Sequence, residues 1–203
     1  MEKKTSDTGF GYKFFRGLFR GLYFIIFHPK KVNRNLIPKE EPCIIICNHT
    51  SKIDPCSIAT STPRVINFLA KSELFAGWYG FMFRAVGCIS VNCDGDSHSS
   101  TQQAIEYLKE GRAIGLYPEG QVNRTDDQIL LPFKNGCIKM AKEANCKIVP
   151  ACLVGRYTPF INNLKVVFGE PIDVTNLSYE DANKLLYDTV YKMLIENGKT
   201  LKK

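Results

Sequence analysis

The sequence predicts a single α/β domain with a mostly parallel or mixed central sheet flanked by helices, preceded by an N-terminal amphipathic helix. Three observations support this prediction. The 203 residues, 44% hydrophobic and 23% charged, have the length and composition of one globular domain. From residue 42 onward, short apolar runs alternate with amphipathic segments, as strands and helices do in an α/β fold. The excess basic charge lies before that point.

The first predicted element is a basic arm over residues 1–35. Nine of the 27 Lys and Arg residues but only three of the 20 Asp and Glu residues fall within residues 1–40. Between residues 10 and 28, cationic side chains recur at helical spacing and aromatic side chains fill the complementary positions. The longest apolar run, 22–27, is too short to span a bilayer. The pattern favours a helix lying on an anionic phospholipid surface; the alternative is a helix packing its aromatic face onto the protein.

The second predicted element is a domain over residues 36–203. Its first apolar run, CIIIC, is uninterrupted, as expected of a strand buried on both faces. The helical segments each carry one apolar face, and Gly111 and Ser178 mark a helix end and a helix start. The predicted strands are 43–47, 65–70, 88–91, 113–117, 148–154 and 164–168, and the predicted helices are 99–110, 132–144 and 178–196.

The cysteine pattern and the charge distribution exclude several classes of function. Most of the eight cysteines lie in or beside apolar runs, and no Cys-x-x-Cys pair occurs, so we expect free thiols and no metal site. The chain begins without a secretory signal pattern, which favours the cytosol. A nucleic-acid partner is not expected, because the body has no basic stripe and no recognised nucleic-acid module.

Chemistry-bearing side chains follow directly after the first predicted strand, in NHTSKIDP (48–55). His49 is able to accept a proton near neutral pH, and Asp54 is near enough across a tight turn to orient the imidazole. No Gly-x-Ser-x-Gly nucleophile motif occurs, so the proton that His49 removes is expected to belong to a substrate. The same two residues also fit a structural role, an Asp that caps a helix beside a paired His.

A second such segment, YPEG (117–120), follows another predicted strand. Its turn exposes backbone N–H groups and one carboxylate, which suits hydroxyls or, with Arg124 nearby, a phosphate. An ordinary surface turn is the alternative. Ligands of open α/β sheets bind beyond the carboxyl ends of the strands, where both segments are predicted to lie.

Together the segments resemble the glycerolipid acyltransferase family, typified by the 1-acylglycerol-3-phosphate acyltransferases, over about residues 36–173. NHTSKID matches the family's NH-x4-D block, YPEG matches its FPEG block, and IVPACLVG matches its Val-Pro block. Further similar stretches are residues 70–92, 131–141 and 166–172. The order and spacing of the blocks make the combination specific.

The resemblance implies direct acyl transfer from acyl-CoA or acyl-acyl-carrier protein to 1-acylglycerol-3-phosphate, forming phosphatidic acid in phospholipid biosynthesis without a cofactor. His49 would be the general base and Asp54 its orienting partner. The protein would be peripheral or monotopic, on the cytoplasmic face of the membrane. The residues implied at the glycerol and phosphate of the acceptor are Glu119, Gly120, Arg124, Lys71 and Arg84.

Two departures from the family pattern leave the acceptor open. Asn92 and Cys93 stand where relatives usually have Asp-Arg, and Gln121, Val122 and Asn123 stand where they usually have Thr-Arg-Ser. Each change removes an arginine, a strong phosphate ligand. The alternatives are another acceptor (glycerol-3-phosphate, another lysophospholipid or a lyso-aminolipid), a non-catalytic lipid-binding protein at the membrane surface, and a thioesterase.

Overall fold

The computed structural model describes residues 10–78, 80–92, 98–125 and 127–199. Within these ranges the chain forms seven strands, seven α-helices and one 3-10 helix over Arg34–Leu36. The strands are β1 (Lys30–Val32), β2 (Cys43–Cys47), β3 (Ile66–Lys71), β4 (Ile89–Val91), β5 (Ala113–Leu116), β6 (Lys147–Val154) and β7 (Lys165–Phe168). The helices are α1 (Phe10–Phe27), α2 (Asp54–Ala59), α3 (Glu73–Ala76), α4 (Gly80–Ala85), α5 (His98–Lys109), α6 (Gly136–Ala144) and α7 (Tyr179–Glu196).

The seven strands form one mixed sheet in the order β1-β7-β6-β2-β5-β3-β4. β7 runs antiparallel to β6, and every other neighbouring pair is parallel. β2 lies between β5 and β6, and all five of its residues are buried, which accounts for its uninterrupted apolar sequence. The single α/β domain and the mixed sheet predicted from the sequence are confirmed.

Helices cover both faces of the sheet. On one face, α5, α6 and α7 pack their apolar sides against alternate residues of the strands, such as Ile44 and Ile46. On the other face, Tyr23 of α1 and Ile58 of α2 pack around Ile45. Successive strand residues point to opposite faces, so the short run of β2 contributes to both cores.

The predicted elements are present with shifts at their ends, and β1, α3 and α4 are among the elements that were not predicted. Ser178 caps α7, accepting a hydrogen bond from the Asp181 amide as the sequence predicted. α3 and α4 have four and six residues, too few for a helical period to stand out in the sequence. β1 has three residues, two of them lysines, and pairs with β7. The arm predicted over residues 1–35 therefore includes a strand of the domain's sheet.

Candidate active site

His49 and Asp54 lie side by side at the carboxyl end of β2. His49 follows the strand, Asp54 is the first residue of α2, and the distance from Nδ1 of His49 to Oδ2 of Asp54 is 2.8 Å. Asp54 is fully buried, whereas the imidazole keeps 18% of its surface exposed. An ionised carboxylate only accepts hydrogen bonds, so Nδ1 carries the proton and Nε2 holds the lone pair. The structure thus brings together the two residues predicted as base and orienting partner.

The Asp54 carboxylate accepts hydrogen bonds on both oxygens. Oδ2 accepts from the backbone amides of Thr50 at 2.6 Å and Ser51 at 2.8 Å, in addition to His49. Oδ1 accepts from the Tyr157 hydroxyl at 2.6 Å and from Oγ1 of Thr50 at 3.2 Å. These donors compensate the cost of burying a charge, and they fix the plane of the carboxylate.

The backbone of His49 is held by the segment that follows β5. Glu119 accepts the His49 amide on Oε1 at 2.6 Å, and the His49 carbonyl accepts the Asn123 amide at 2.8 Å. The second oxygen of Glu119 accepts the Leu131 amide at 2.8 Å. Burial raises the pKa of Glu119, which these two amide donors oppose. The carboxylate predicted to position the acceptor is therefore occupied by two backbone amides, and it ties the YPEG segment to His49.

The ring of Tyr117 supports the imidazole from one side. The two rings stack with centroids 4.1 Å apart and an interplanar angle of 16°. Within the described part of the chain, the buried Tyr117 hydroxyl has no hydrogen-bond partner. Burial raises the pKa of this phenol well above its ordinary value. The contact that Tyr117 makes with His49 is through its ring, which matches the Phe that the family pattern has at this position.

Asn48 binds the loop that follows β2 to strand β6. Its side chain donates to the Leu153 carbonyl at 3.1 Å and accepts from the Leu153 amide at 2.7 Å. This double contact continues the pairing of β2 with β6 by one residue beyond the last strand pair, Cys47 with Ala151. The backbone before His49 is therefore set by the sheet itself.

A lysine side chain lies close to the YPEG turn. Gly120 has φ +71°, and a Cβ placed on it would lie 2.9 Å from Nζ of Lys134. The Lys134 amide also donates to the Pro118 carbonyl at 2.8 Å. Arg124 is exposed and follows Asn123, the residue bonded to the His49 carbonyl. Lys134 thus lies beside the turn that adjoins His49, and Arg124 is exposed on the segment that continues from it.

A comparison with known families decides what kind of protein carries this site. The Acyltransferase family profile matches residues 28–154. The chain belongs to the Acyltransferase family. It is 26% identical over 163 residues to the 1-acyl-sn-glycerol-3-phosphate acyltransferase of Bacillus subtilis, which covers 77% of this chain and 80% of that protein. It is 33% identical over 172 residues to the protein of the same name from Borreliella burgdorferi, covering 78% and 68%.

A solved structure has the same fold as this acyltransferase. The crystal structure of the 1-acyl-sn-glycerophosphate acyltransferase from Thermotoga maritima superposes with a TM-score of 0.77. The match covers 100% of this chain and 86% of the other, at 21% sequence identity. The likeness extends over the whole chain, so the fold includes the parts that flank the family match.

The other two predicted phosphate ligands of the acyltransferase lie apart from the YPEG turn in sequence and differ in their surroundings. Lys71 is exposed at the carboxyl end of β3, where it pairs with Val91. Arg84 lies on α4 and donates from Nη1 to the Phe75 carbonyl at 3.0 Å. The Arg84 guanidinium therefore stabilises the α3–α4 turn. Cys93, one of the two departures of the second block, falls outside the described residues.

Three residues of the site were not singled out from the sequence. Tyr157 contacts Asp54 but follows β6 by three residues, in a loop without a recognisable motif. Lys134 belongs to LPFKNG, which the resemblance includes without assigning a role to the lysine. Tyr117 is the first residue of YPEG, and its match to an aromatic residue in the family pattern was the available signal for stacking.

The described residues of the acyltransferase were also compared with the expectations for metal sites, membrane spans and cysteines. Over the described residues, no group of His, Cys, Asp and Glu is arranged as a metal site, and no helix is both long and apolar enough to cross a bilayer. The cysteines that the structure describes are free thiols. Burial raises their pKa, to about 11 at Cys43 and about 12 at Cys137, so they are poorly reactive packing residues.

Proposed function

We propose that this acyltransferase moves an acyl chain from acyl-CoA or acyl-acyl-carrier protein to the free hydroxyl of 1-acylglycerol-3-phosphate, forming phosphatidic acid. The observation that carries the proposal is the buried Asp54 bonded to a partly exposed His49 beside the YPEG turn. The relatives from Bacillus subtilis and Borreliella burgdorferi are named for this acceptor.

In the proposed reaction, His49 takes the proton of the acceptor hydroxyl on Nε2. The oxygen attacks the thioester carbonyl, a C–O bond forms and the C–S bond breaks. The imidazolium then gives its proton to the departing thiolate, which restores the neutral base. Asp54 stabilises the imidazolium between these two steps and keeps the proton on Nδ1. The thioester is already activated, so the step needs only an aligned base.

The acceptor's phosphate is proposed to lie at the YPEG turn. Gly120 has no side chain, which lets Lys134 approach the turn closely, and Arg124 adds a positive charge four residues further along the chain. These cations take the place of the arginine that the sequence lacks after YPEG. Lys71 and Arg84 remain proposed as additional ligands, although one nitrogen of Arg84 already donates to the Phe75 carbonyl.

The site is proposed to work at a membrane surface, peripheral or monotopic on the cytoplasmic face, because acceptor and product both partition into lipid. α1 supports this proposal with an exposed apolar stripe of Leu18, Leu22 and Ile25. Phe160, also exposed, lies beside the end of that helix, since its amide donates to the Ile26 carbonyl. Amphipathic helices of this kind lie in the bilayer interface.

The decisive experiment measures acyl transfer by purified His49→Ala with acyl-CoA and 1-acylglycerol-3-phosphate in mixed micelles. Turnover is expected to fall about 10³-fold or more, with the far-UV spectrum unchanged. His98→Ala, an exposed histidine on α5, is the matched control and should retain full activity. Retained activity in the His49 variant contradicts the proposed base.

The same assay run on a panel of acceptors separates the alternatives. The proposal expects 1-acylglycerol-3-phosphate to be used with the highest kcat/KM, ahead of glycerol-3-phosphate and neutral lysophospholipids. Preference for another acceptor would keep the chemistry and change the substrate. Fatty acid released at the same rate without any acceptor would indicate a thioesterase, and no product from any acceptor would indicate a lipid-binding protein.

A further inference from the structure

A chain of hydrogen bonds leads from the N-terminal helix to the His49–Asp54 pair. The Tyr157 hydroxyl lies 2.6 Å from Oδ1 of Asp54 and 2.8 Å from Oγ of Ser57. Oγ of Ser57 is in turn hydrogen-bonded to the Tyr23 hydroxyl. Tyr23 lies on α1, Ser57 on α2 and Tyr157 in the loop after β6, so three separate elements meet at this chain.

The donor and acceptor of each of these hydrogen bonds follow from counting protons. The Asp54 carboxylate only accepts hydrogen bonds, so the Tyr157 hydroxyl donates its one proton to Oδ1. Tyr157 therefore accepts the proton of Ser57, and Ser57 accepts the proton of Tyr23. Burial raises the pKa of Tyr23 to about 12 and raises that of Tyr157 as well, so both phenols keep their protons at neutral pH. Every hydroxyl of the chain donates toward Asp54.

Aromatic rings of α1 also contact the ring of Tyr157. Phe27 of α1 packs edge-on against the Tyr157 ring, with centroids 5.4 Å apart at 87°. Tyr23 contacts the same ring at 6.5 Å and 63°. On the other side, Gly155 turns the chain with φ +98°, and a Cβ there would collide with the Asn163 carbonyl. The loop and α1 together fix where the Tyr157 hydroxyl points.

We propose that Tyr157 is a positioning residue for the His49–Asp54 pair, and that Tyr23 and Ser57 hold it, so that the seating of α1 on the domain sets the geometry of the catalytic pair. The proposal rests on the base role proposed for His49. It adds residues outside the family match, which spans 28–154 and includes neither tyrosine. Without the phenol, Oδ1 keeps the Thr50 hydroxyl as a donor, at 3.2 Å, and the carboxylate plane is less constrained.

The first test compares Tyr157→Phe with the wild-type full-length enzyme in the transfer assay. The variant keeps the ring and loses one charge-assisted hydrogen bond, so kcat is expected to fall about tenfold while KM for 1-acylglycerol-3-phosphate stays within about twofold. Tyr107→Phe is the matched control, because its hydroxyl accepts from Gln103 on α5, and it should leave kcat unchanged. A kcat for Tyr157→Phe within about twofold of wild type overturns the proposal.

The second test asks whether Tyr23 acts through Tyr157. Tyr23→Phe alone is expected to lower kcat about threefold, because Ser57 then loses the partner that orients its proton. Added to Tyr157→Phe, the same change should lower kcat no further, because the hydrogen bond from residue 157 to Asp54 is already absent. Ser57→Ala should behave as Tyr23→Phe does. Independent, multiplying effects of the two tyrosines would contradict a connected chain.

The third test is the pH profile of kcat, which a merely structural role would not move. In Tyr157→Phe, the Asp54 carboxylate loses one hydrogen-bond donor, so its negative charge stabilises the His49 imidazolium more strongly. The acidic limb of the kcat profile is therefore expected about half a unit higher in pH. An unmoved limb in a folded, slower variant overturns the proposal. The titratable or charged groups that bear on the pair come from every element around it: Tyr23 of α1, Cys47 of β2, Cys56 of α2, Tyr117 and Glu119 after β5, Tyr157 after β6, and Lys199 after α7.

His49→Ala in the same series separates this proposal from the proposed function. If His49→Ala is inactive and Tyr157→Phe is normal, the base stands and the positioning role fails. If His49→Ala is active, the proposed function fails first. Thermal unfolding of each variant confirms that folded proteins are compared, and Ser57→Ala provides a variant that leaves both tyrosine side chains intact.

Discussion

At the scale of single residues, Glu119 illustrates how a side chain serves the site through its neighbours. Both carboxylate oxygens accept backbone amides, one from His49 and one from Leu131, in a buried position. The family resemblance implies contact between Glu119 and the acceptor, and that role stays a prediction. In the fold, Glu119 joins the loop after β2 to the segment before α6.

Glu119→Gln distinguishes a structural role of Glu119, holding the His49 and Leu131 amides, from direct contact with the acceptor. Glutamine offers one acceptor oxygen in place of two, so one of the two amides would face an NH₂ group. We expect a loss of about 2 kcal/mol in the free energy of unfolding, measured by urea denaturation, and a lower kcat because the His49 backbone is released. Exposed Glu170→Gln is the control. Unchanged stability with a raised acceptor KM would favour direct contact with substrate.

At the scale of elements, α1 has two faces with different surroundings. At 100° per residue, Leu18, Leu22 and Ile25 share one stripe, and they are 57%, 54% and 60% exposed. Tyr23 and Phe27 lie on the opposite stripe and pack on the domain, Tyr23 being only 6% exposed. One stripe of the helix therefore packs on the protein, and the exposed stripe is the one proposed to face a membrane.

The double variant Leu22→Glu, Ile25→Glu tests the exposed stripe without disturbing Tyr23. Two carboxylates on this stripe oppose both insertion and the attraction of an anionic surface, so co-sedimentation with phosphatidylglycerol vesicles should fall at least about tenfold. Leu185→Glu, an exposed leucine on α7, is the control. Vesicle binding equal to that of wild type would show that this stripe does not contact lipid. Deleting residues 1–28 would not separate the two faces, because it also removes Tyr23.

At the scale of the whole molecule, the site is assembled from segments that are far apart in the chain. The loop after β2 supplies the pair, the segment after β5 holds its backbone, and the loop after β6 supplies Tyr157. The segment before α6 returns to the YPEG turn through the Lys134 amide, which explains why α6 begins at Gly136 and not at the predicted residue 132. These contacts make the carboxyl ends of β2, β5 and β6 a single site.

Lys134→Ala and Arg124→Ala test whether this assembly binds the acceptor's phosphate. Loss of one cation from a phosphate is expected to raise KM for 1-acylglycerol-3-phosphate about tenfold, with kcat within about twofold, because the reacting hydroxyl is elsewhere on the molecule. Lys139→Ala on α6, where the lysine pairs with Glu143, is the control. An unaltered KM in both variants would move the phosphate away from the YPEG turn.

Much of the fold follows from local patterns that act over a few residues. Five buried apolar residues made β2 recognisable, and Ser178 with its neighbours made the start of α7 recognisable, because strand burial and helix capping are local effects. β1 was missed, since three residues with two lysines become a strand only when β7 lies beside them. His49 and Asp54 were found for the same local reason: they are five residues apart, and one turn brings them together.

The sequence by itself determined the alternation of strands and helices, the His49–Asp54 pair and the presence of an N-terminal helix. Only the tertiary structure decided what surrounds the pair. Tyr157 reaches Asp54 from 103 residues away, and Glu119 reaches the His49 amide from 70 residues away. The physical reason is that a hydrogen bond depends on distances in space, and across such separations the sheet alone sets which loops share an edge.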